Sequence, residues 1–163
     1  MKYQANRNYV SNDVVMTPIS LAERLLNHFK PTGKGLEPCC GCGNILHLLP
    51  AGTDWCEVSL GRDFFDYHEK VDYIFTNPPW SKFRDFLNHA MEISDEIYVL
   101  ITINHLWTKA RLRDISAHGF GVKEICLVKT PKNFPQTGFQ LGMIHLSRNY
   151  KDGGILLTML EEI

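Results

Sequence analysis

A chain of 163 residues, 44% hydrophobic and 21% charged, has the size and composition of one globular domain with a real core. No apolar run approaches the roughly 20 residues of a membrane-spanning helix, and the opening MKYQANRNYV has no apolar signal core, so the sequence reads as cytoplasmic with no membrane partner. The net charge of −1 argues against a nucleic-acid binder, yet residues 1–99 hold 9 Lys/Arg against 13 Asp/Glu and residues 100–163 hold 8 against 5. A basic second part suits a phosphate-facing surface; a solvated face is the alternative.

In chain order, Thr17-Pro18 followed by Ile19, Leu21, Ala22, Leu25, Leu26 and Phe29 predicts a Pro-started amphipathic helix, stopped by Pro31 and the Gly33/Gly35 pair. A short strand into Leu36-Glu37-Pro38 leads to a glycine loop, and a short helix over 44–49 ends at Pro50. Strands are expected over 55–60 and 71–76, a helix over 83–93, and a strand buried on both faces over 97–103. A helix over 106–118 ends at Gly119, and a strand follows over 122–128. Beyond a Pro131–Pro135 loop, strands over 142–146 and 155–160 suit a hairpin turning at Asp152-Gly153-Gly154. The alternation predicts an α/β fold with a mainly parallel central sheet and an antiparallel edge, whose ligands lie beyond the carboxyl ends of the strands.

Five cysteines, an odd number without an export signal, argue against a disulfide framework. Cys39 and Cys42 make a C-x-x-C, but zinc needs four ligands and no second C-x-x-C or close His pair supplies them, so no metal is expected.

Two segments carry chemistry. In Glu37-Pro38-Cys39-Cys40-Gly41-Cys42-Gly43, the G-x-G pair between strand and helix lets the backbone bend tightly and approach a ligand. No third glycine completes a dinucleotide fingerprint, and acidic Glu37 suits a cofactor with positive charge better than a phosphate. In Thr76-Asn77-Pro78-Pro79-Trp80, two prolines stiffen the backbone and remove two N–H donors. The Asn77 side chain and Pro78 carbonyl then serve as fixed acceptors for a planar amino group, and Trp80 as a face on which a base stacks.

Together these residues resemble class I, Rossmann-like S-adenosylmethionine-dependent methyltransferases that act on amino nitrogens, especially DNA adenine-N6 methyltransferases, over roughly residues 11–150. Asn77-Pro78-Pro79-Trp80 looks like that family's catalytic D/N-P-P-Y/F/W tetrapeptide. The resemblance implies a single Rossmann-like catalytic domain over 1–163 with helices on both faces of the sheet. It implies S-adenosylmethionine held by Thr17 and Pro18, by Glu37, Pro38, Cys39, Gly41 and Gly43, and by Asn77. Glu57 matches the acidic residue that binds the ribose hydroxyls, and Asp63-Phe64 the pair that lies against the adenine. Two departures stand out: only five residues separate Glu57 from Asp63, so the usual intervening helix is missing or reduced, and no segment is long enough for a separate target-recognition domain.

The implied partner is nucleic acid, with DNA first and the target base flipped from the stack. Lys82, Arg84, Lys109, Arg111 and Arg113 are the expected phosphate contacts, and a separate recognition subunit or a homodimer would supply specificity. RNA adenine methylation, protein-glutamine methylation, and a degenerate nucleic-acid-binding subunit of a methyltransferase complex are the alternative readings.

Overall fold

The computed structural model describes residues 13–160; the outermost residues of the expected domain, 1–12 and 161–163, lie outside the described residues. A seven-stranded open sheet runs in the order β2-β1-β3-β4-β6-β5-β7. Its strands are β1 (Gly35–Glu37), β2 (Asp54–Trp55), β3 (Val71–Thr76), β4 (Ser94–Thr102), β5 (Phe120–Val128), β6 (Leu141–Arg148) and β7 (Leu156–Met159). β1 to β4 pair in parallel, and β6 alone is reversed, antiparallel to both β4 and β5. The mainly parallel sheet of the sequence reading is therefore present, with its antiparallel part at β6, towards the β7 edge.

Three helices cover the sheet: α1 (Ile19–Phe29), α2 (Phe83–Ile93) and α3 (Lys109–Ala117). The period of two along the strands sorts the core into two layers. Ile97, Val99 and Ile101 of β4 pack with Phe86, Leu87 and Met91 of α2 and Ile115 of α3. Tyr98 and Leu100 of the same strand point the other way, into a cluster with Leu21, Ala22 and Leu25 of α1 and with Tyr73 and Phe75 of β3. Helices thus lie on both faces.

Local differences from the sequence reading have physical causes. The helix expected over 44–49 is only a 3-10 turn at Leu46–Leu48, because Gly43 at φ +89 and Pro50 leave too few residues to propagate a helix. The strand expected over 55–60 stops at Trp55, because Glu57 turns the chain: its carboxylate accepts the Ser59 N–H and caps a 3-10 turn, Val58–Leu60. The helix expected from Leu106 begins at Lys109, where the Thr108 side chain accepts the Arg111 N–H. The expected closing hairpin does not form: β7 pairs in parallel with β5, on the side opposite β6.

The consequence for stability is uneven. Ile144 on β6 is fully buried between two paired strands, whereas Leu157 on edge strand β7 is 65% exposed. Ile144→Ala should cost about 2–5 kcal/mol in chemical denaturation. Leu157→Ala should stay within about 0.5 kcal/mol of the parent.

Candidate active site

Chain order places the site. β1 is followed in space by β2 on one side and by β3 on the other, so the connections leaving β1 and β3 diverge and open a crevice at the carboxyl ends of these strands. The glycine loop leaves β1 there, and Asn77–Trp80 leaves β3 there.

Glu37 ends β1 fully buried. Its Oε1 accepts the Cys39 N–H at 3.2 Å, while Oε2 has no hydrogen-bond partner. Thr76, on the paired strand β3, also keeps a buried hydroxyl without closing a hydrogen bond. Burial pushes the Glu37 carboxyl up to about 8, against the opposing pull of the nearby Thr76 hydroxyl and the Cys39 N–H. A buried acceptor left open at a ligand crevice costs stability, which marks a place where a donor or a cation belongs.

The loop that follows is held from both sides. Gly41 and Gly43 have φ of +53 and +89, conformations that L side chains rarely adopt. A Cβ on Gly41 would come within 2.7 Å of Met16 Sδ, a contact that this flexible side chain can relieve, so it is the positive φ that favours glycine there. Glu57 anchors the loop: its Oε2 accepts the Gly41 N–H at 2.9 Å, and its Oε1 accepts the Ser59 hydroxyl and N–H at 2.6 and 3.0 Å. These bonds, with the Ser59 hydroxyl foremost, hold the Glu57 carboxyl below the usual carboxylate range. Burial pushes the Cys39 thiol up strongly and the Cys40 thiol to about 11, which makes both poor thiolates.

A segment missed by the sequence reading ties the two loops together. Residues 13–17 form a strap whose consecutive carbonyls are caught by three asparagine amides. Asn77 donates to Val15 at 3.0 Å, Asn133 to Met16 at 2.8 Å and Asn44 to Thr17 at 2.9 Å. Asp13 accepts from the Ser81 hydroxyl beside Trp80. Only the Thr17-Pro18 end of this strap carried a sequence signal; backbone acceptors leave no residue-type signature.

With Nδ2 committed to Val15, the Asn77 amide is oriented and its Oδ1 remains an acceptor. The Pro79 carbonyl accepts the Lys82 N–H, whereas the Pro78 carbonyl receives no hydrogen bond among the described residues. Trp80 is locked by its own N–H, which donates to the Leu100 carbonyl at 3.2 Å, and its ring lies 6.0 Å from His105 and 6.2 Å from Phe134.

The structure therefore brings Thr17, Pro18, Glu37, Pro38, Cys39, Gly41, Gly43, Glu57, Asn77, Pro78, Pro79 and Trp80 to one rim. Other expected residues are placed differently. Phe64 is in the core, 4% exposed with its ring 4.6 Å from Phe86, because a 3-10 turn capped by Asp63 drives it inward. Phe65, 40% exposed, is the ring left at the surface of that turn. Arg84 is engaged by Asp114 in a two-bond ion pair at 2.7 and 3.3 Å. Arg111 lies over the Phe83 ring at 5.6 Å with its Nε buried and unpartnered. Lys82, Lys109 and Arg113 are exposed.

Glu37 supplies a test with opposite signs for stability and binding. Its folded-state value of about 8 lies above the ordinary 4.5, so folding favours the protonated acid, and stability falls as pH rises from 4.5 towards 8. Glu37→Gln should therefore raise the melting temperature of the ligand-free protein at pH 7–8. A cation against Oε2 favours the carboxylate, so the affinity of the parent for a cationic ligand in the crevice should rise with pH up to about 8 and then level. Calorimetry should show weaker, pH-independent binding by Glu37→Gln.

No protein-family model matches the chain, and no curated protein matches its sequence significantly. Solved structures do match its fold. A Pyrococcus horikoshii protein assigned as an RNA methyltransferase superposes with a TM-score of 0.62 at 20% identity, over 86% of this chain and 90% of that one. A Listeria monocytogenes protein assigned as a class I S-adenosylmethionine-dependent methyltransferase gives 0.64 at 13% identity, over 96% and 69%. The modification subunit of a type I restriction enzyme from Vibrio vulnificus gives 0.64 at 12% identity, over 91% of this chain and 47% of the subunit. The chain therefore has the fold that class I methyltransferases share, and it spans about half the length of the restriction-system subunit.

Proposed function

We propose that the chain is a cytoplasmic S-adenosylmethionine-dependent methyltransferase that transfers a methyl group to the exocyclic N6 of adenine in DNA, and that residues 1–163 act as one catalytic domain. The observation that carries this reading is the pair of acceptors at Asn77 and Pro78. The amide of Asn77 is turned by Val15 so that its oxygen is free, and the neighbouring Pro78 carbonyl is also unengaged among the described residues. Two fixed acceptors side by side suit the two N–H donors of an amino group.

The cofactor would lie along the glycine loop, with its positive end towards Glu37 Oε2, the adenosine towards Glu57 and Asp63, and the strap at Thr17-Pro18 beside it. Bound S-adenosylmethionine supplies an activated methyl group. The protein's own part is alignment and the exclusion of water. As the amine attacks, positive charge grows on its nitrogen, and the Asn77 oxygen and Pro78 carbonyl dipole stabilise it. Trp80, unable to rotate while its N–H is bound to Leu100, holds the base ring in line. Glu57 already serves the loop with both oxygens, so contact with a ribose would use their remaining lone pairs.

The fold relationship to a type I modification subunit favours a DNA target read with help from a second subunit or copy. The relationship to a protein assigned as an RNA methyltransferase, over 90% of that chain, keeps RNA adenine as the second reading, because the same acceptors would serve it.

Asn77→Ala should lower methyl transfer to adenine-containing DNA by about 10²-fold or more, the scale for removing one preorganised polar group from a transition state. Its affinity for S-adenosylmethionine should change by less than about 1 kcal/mol if the other loops hold the cofactor. Trp80→Phe should retain part of the turnover that Trp80→Ala loses. Full activity in Asn77→Ala would remove the mechanism.

A further inference from the structure

We infer that Trp107 and Phe139 form a stacking platform for the unpaired bases flanking the target, so that the substrate reaches the site as a single strand or an unpaired loop. The inference rests on the proposed action at a nucleobase and names the form in which that base is presented.

Both rings stand outside the core on loops whose backbone is hydrogen-bonded on either side. Trp107 is 47% exposed, yet its neighbour Leu106 is fully buried and donates its N–H to the Ile103 carbonyl at 3.1 Å. On its other side Thr108 caps α3. Phe139 is 56% exposed, with its N–H on the Thr137 hydroxyl at 3.3 Å. The next residue, Gln140, donates its side-chain amide to the Val128 and Leu141 carbonyls at 2.7 and 2.9 Å. The two loops are also tied to each other, since the Ile103 N–H donates to the Gln140 carbonyl at 2.9 Å.

Their place in the fold is the active-site rim. Trp107 follows the carboxyl end of β4 and Phe139 precedes β6, and Thr102 and Leu141 at these ends are paired neighbours. The same two loops supply His105 and Phe134, the rings beside Trp80. Single exposed aliphatic residues are ordinary on a protein surface, but two exposed aromatic rings on the loops beside a candidate base pocket are not.

The charges nearby match a nucleic-acid backbone. Lys82, Lys109, Arg113 and Lys132 are exposed and form no ion pair among the described residues. Flat rings alternating with free cations are what a single strand uses, its bases stacking on rings while its phosphates meet the charges. In a duplex the base faces are already covered by their neighbours, so the same rings would find nothing to stack on.

The test compares the parent with Trp107→Ala, Phe139→Ala and Trp107→Phe. Binding would be measured by fluorescence anisotropy on one short adenine-containing sequence as single-stranded DNA, as duplex DNA and as single-stranded RNA. The parent should bind the single strands about ten-fold more tightly than the duplex. Each alanine variant should lose about ten-fold on single strands with an unchanged log–log salt slope, because stacking releases no counterions. Trp107→Phe should keep most of the affinity, and all variants should bind S-adenosylmethionine as the parent does. Alanine variants that bind single strands like the parent, or a parent that prefers duplex, would overturn the platform even if adenine is methylated. A parent that binds none of the three and methylates a protein would instead overturn the proposed function, and the platform with it.

Discussion

The site depends on one constraint, the parallel pairing of the three-residue strand β1 with β3. Its register sets Gly35 against Tyr73 and Leu36 against Ile74. Glu37 lies one step further along β1 and Thr76 two along β3, and the Glu37 Oε2 and the Thr76 hydroxyl are buried there without a hydrogen-bond partner. From that edge the glycine loop and the Asn77–Trp80 segment depart in diverging directions. A one-residue slip of β1 would turn Glu37 to the opposite face of the sheet and leave the crevice without its acid. The strap over 13–17 and the Glu57 clamp on Gly41 hold what this pairing has positioned.

Two carboxylates near the loop have opposite environments and so opposite uses. Glu57 is partly open and well supplied with donors, which stabilises its charge and suits it to a structural bond with the loop. Glu37 is sealed from water and poorly supplied, which destabilises its charge. Burying a carboxyl in this state costs folding free energy. That cost is what a binding site incurs when its acceptor is prepared for a ligand.

Much of this was legible in the sequence because it depends on residue type at fixed spacing. The β3 strand and the α2 helix fall on the residues that alternation and helical period mark, Val71–Thr76 and Phe83–Ile93. Glycines at 41 and 43 and the prolines at 78 and 79 announce unusual backbone, and the structure has it at both glycines. What was not legible depends on tertiary partners. Asn44 and Asn133 read as ordinary loop residues and Asn77 only as an acceptor, since the strap carbonyls these amides bind lie 27, 117 and 62 positions away. Phe64 was expected near a ligand from its place in a motif, but packing against Phe86 and His89 takes it into the core. Arg84 reads as a basic contact until Asp114 on the neighbouring helix is seen to hold it. The parallel β7 escaped because period two marks a strand but not its direction or its neighbour.

The central claim is that the crevice between β1 and β3 joins a methyl donor to an adenine amino group. The most direct measurement incubates the protein with deuterium-labelled S-adenosylmethionine and DNA, RNA and a protein lysate in parallel, then digests each fraction for mass spectrometry. The account predicts labelled N6-methyladenine in the DNA digest. Label found only as methylglutamine in the protein digest, or in no fraction at all, would contradict it.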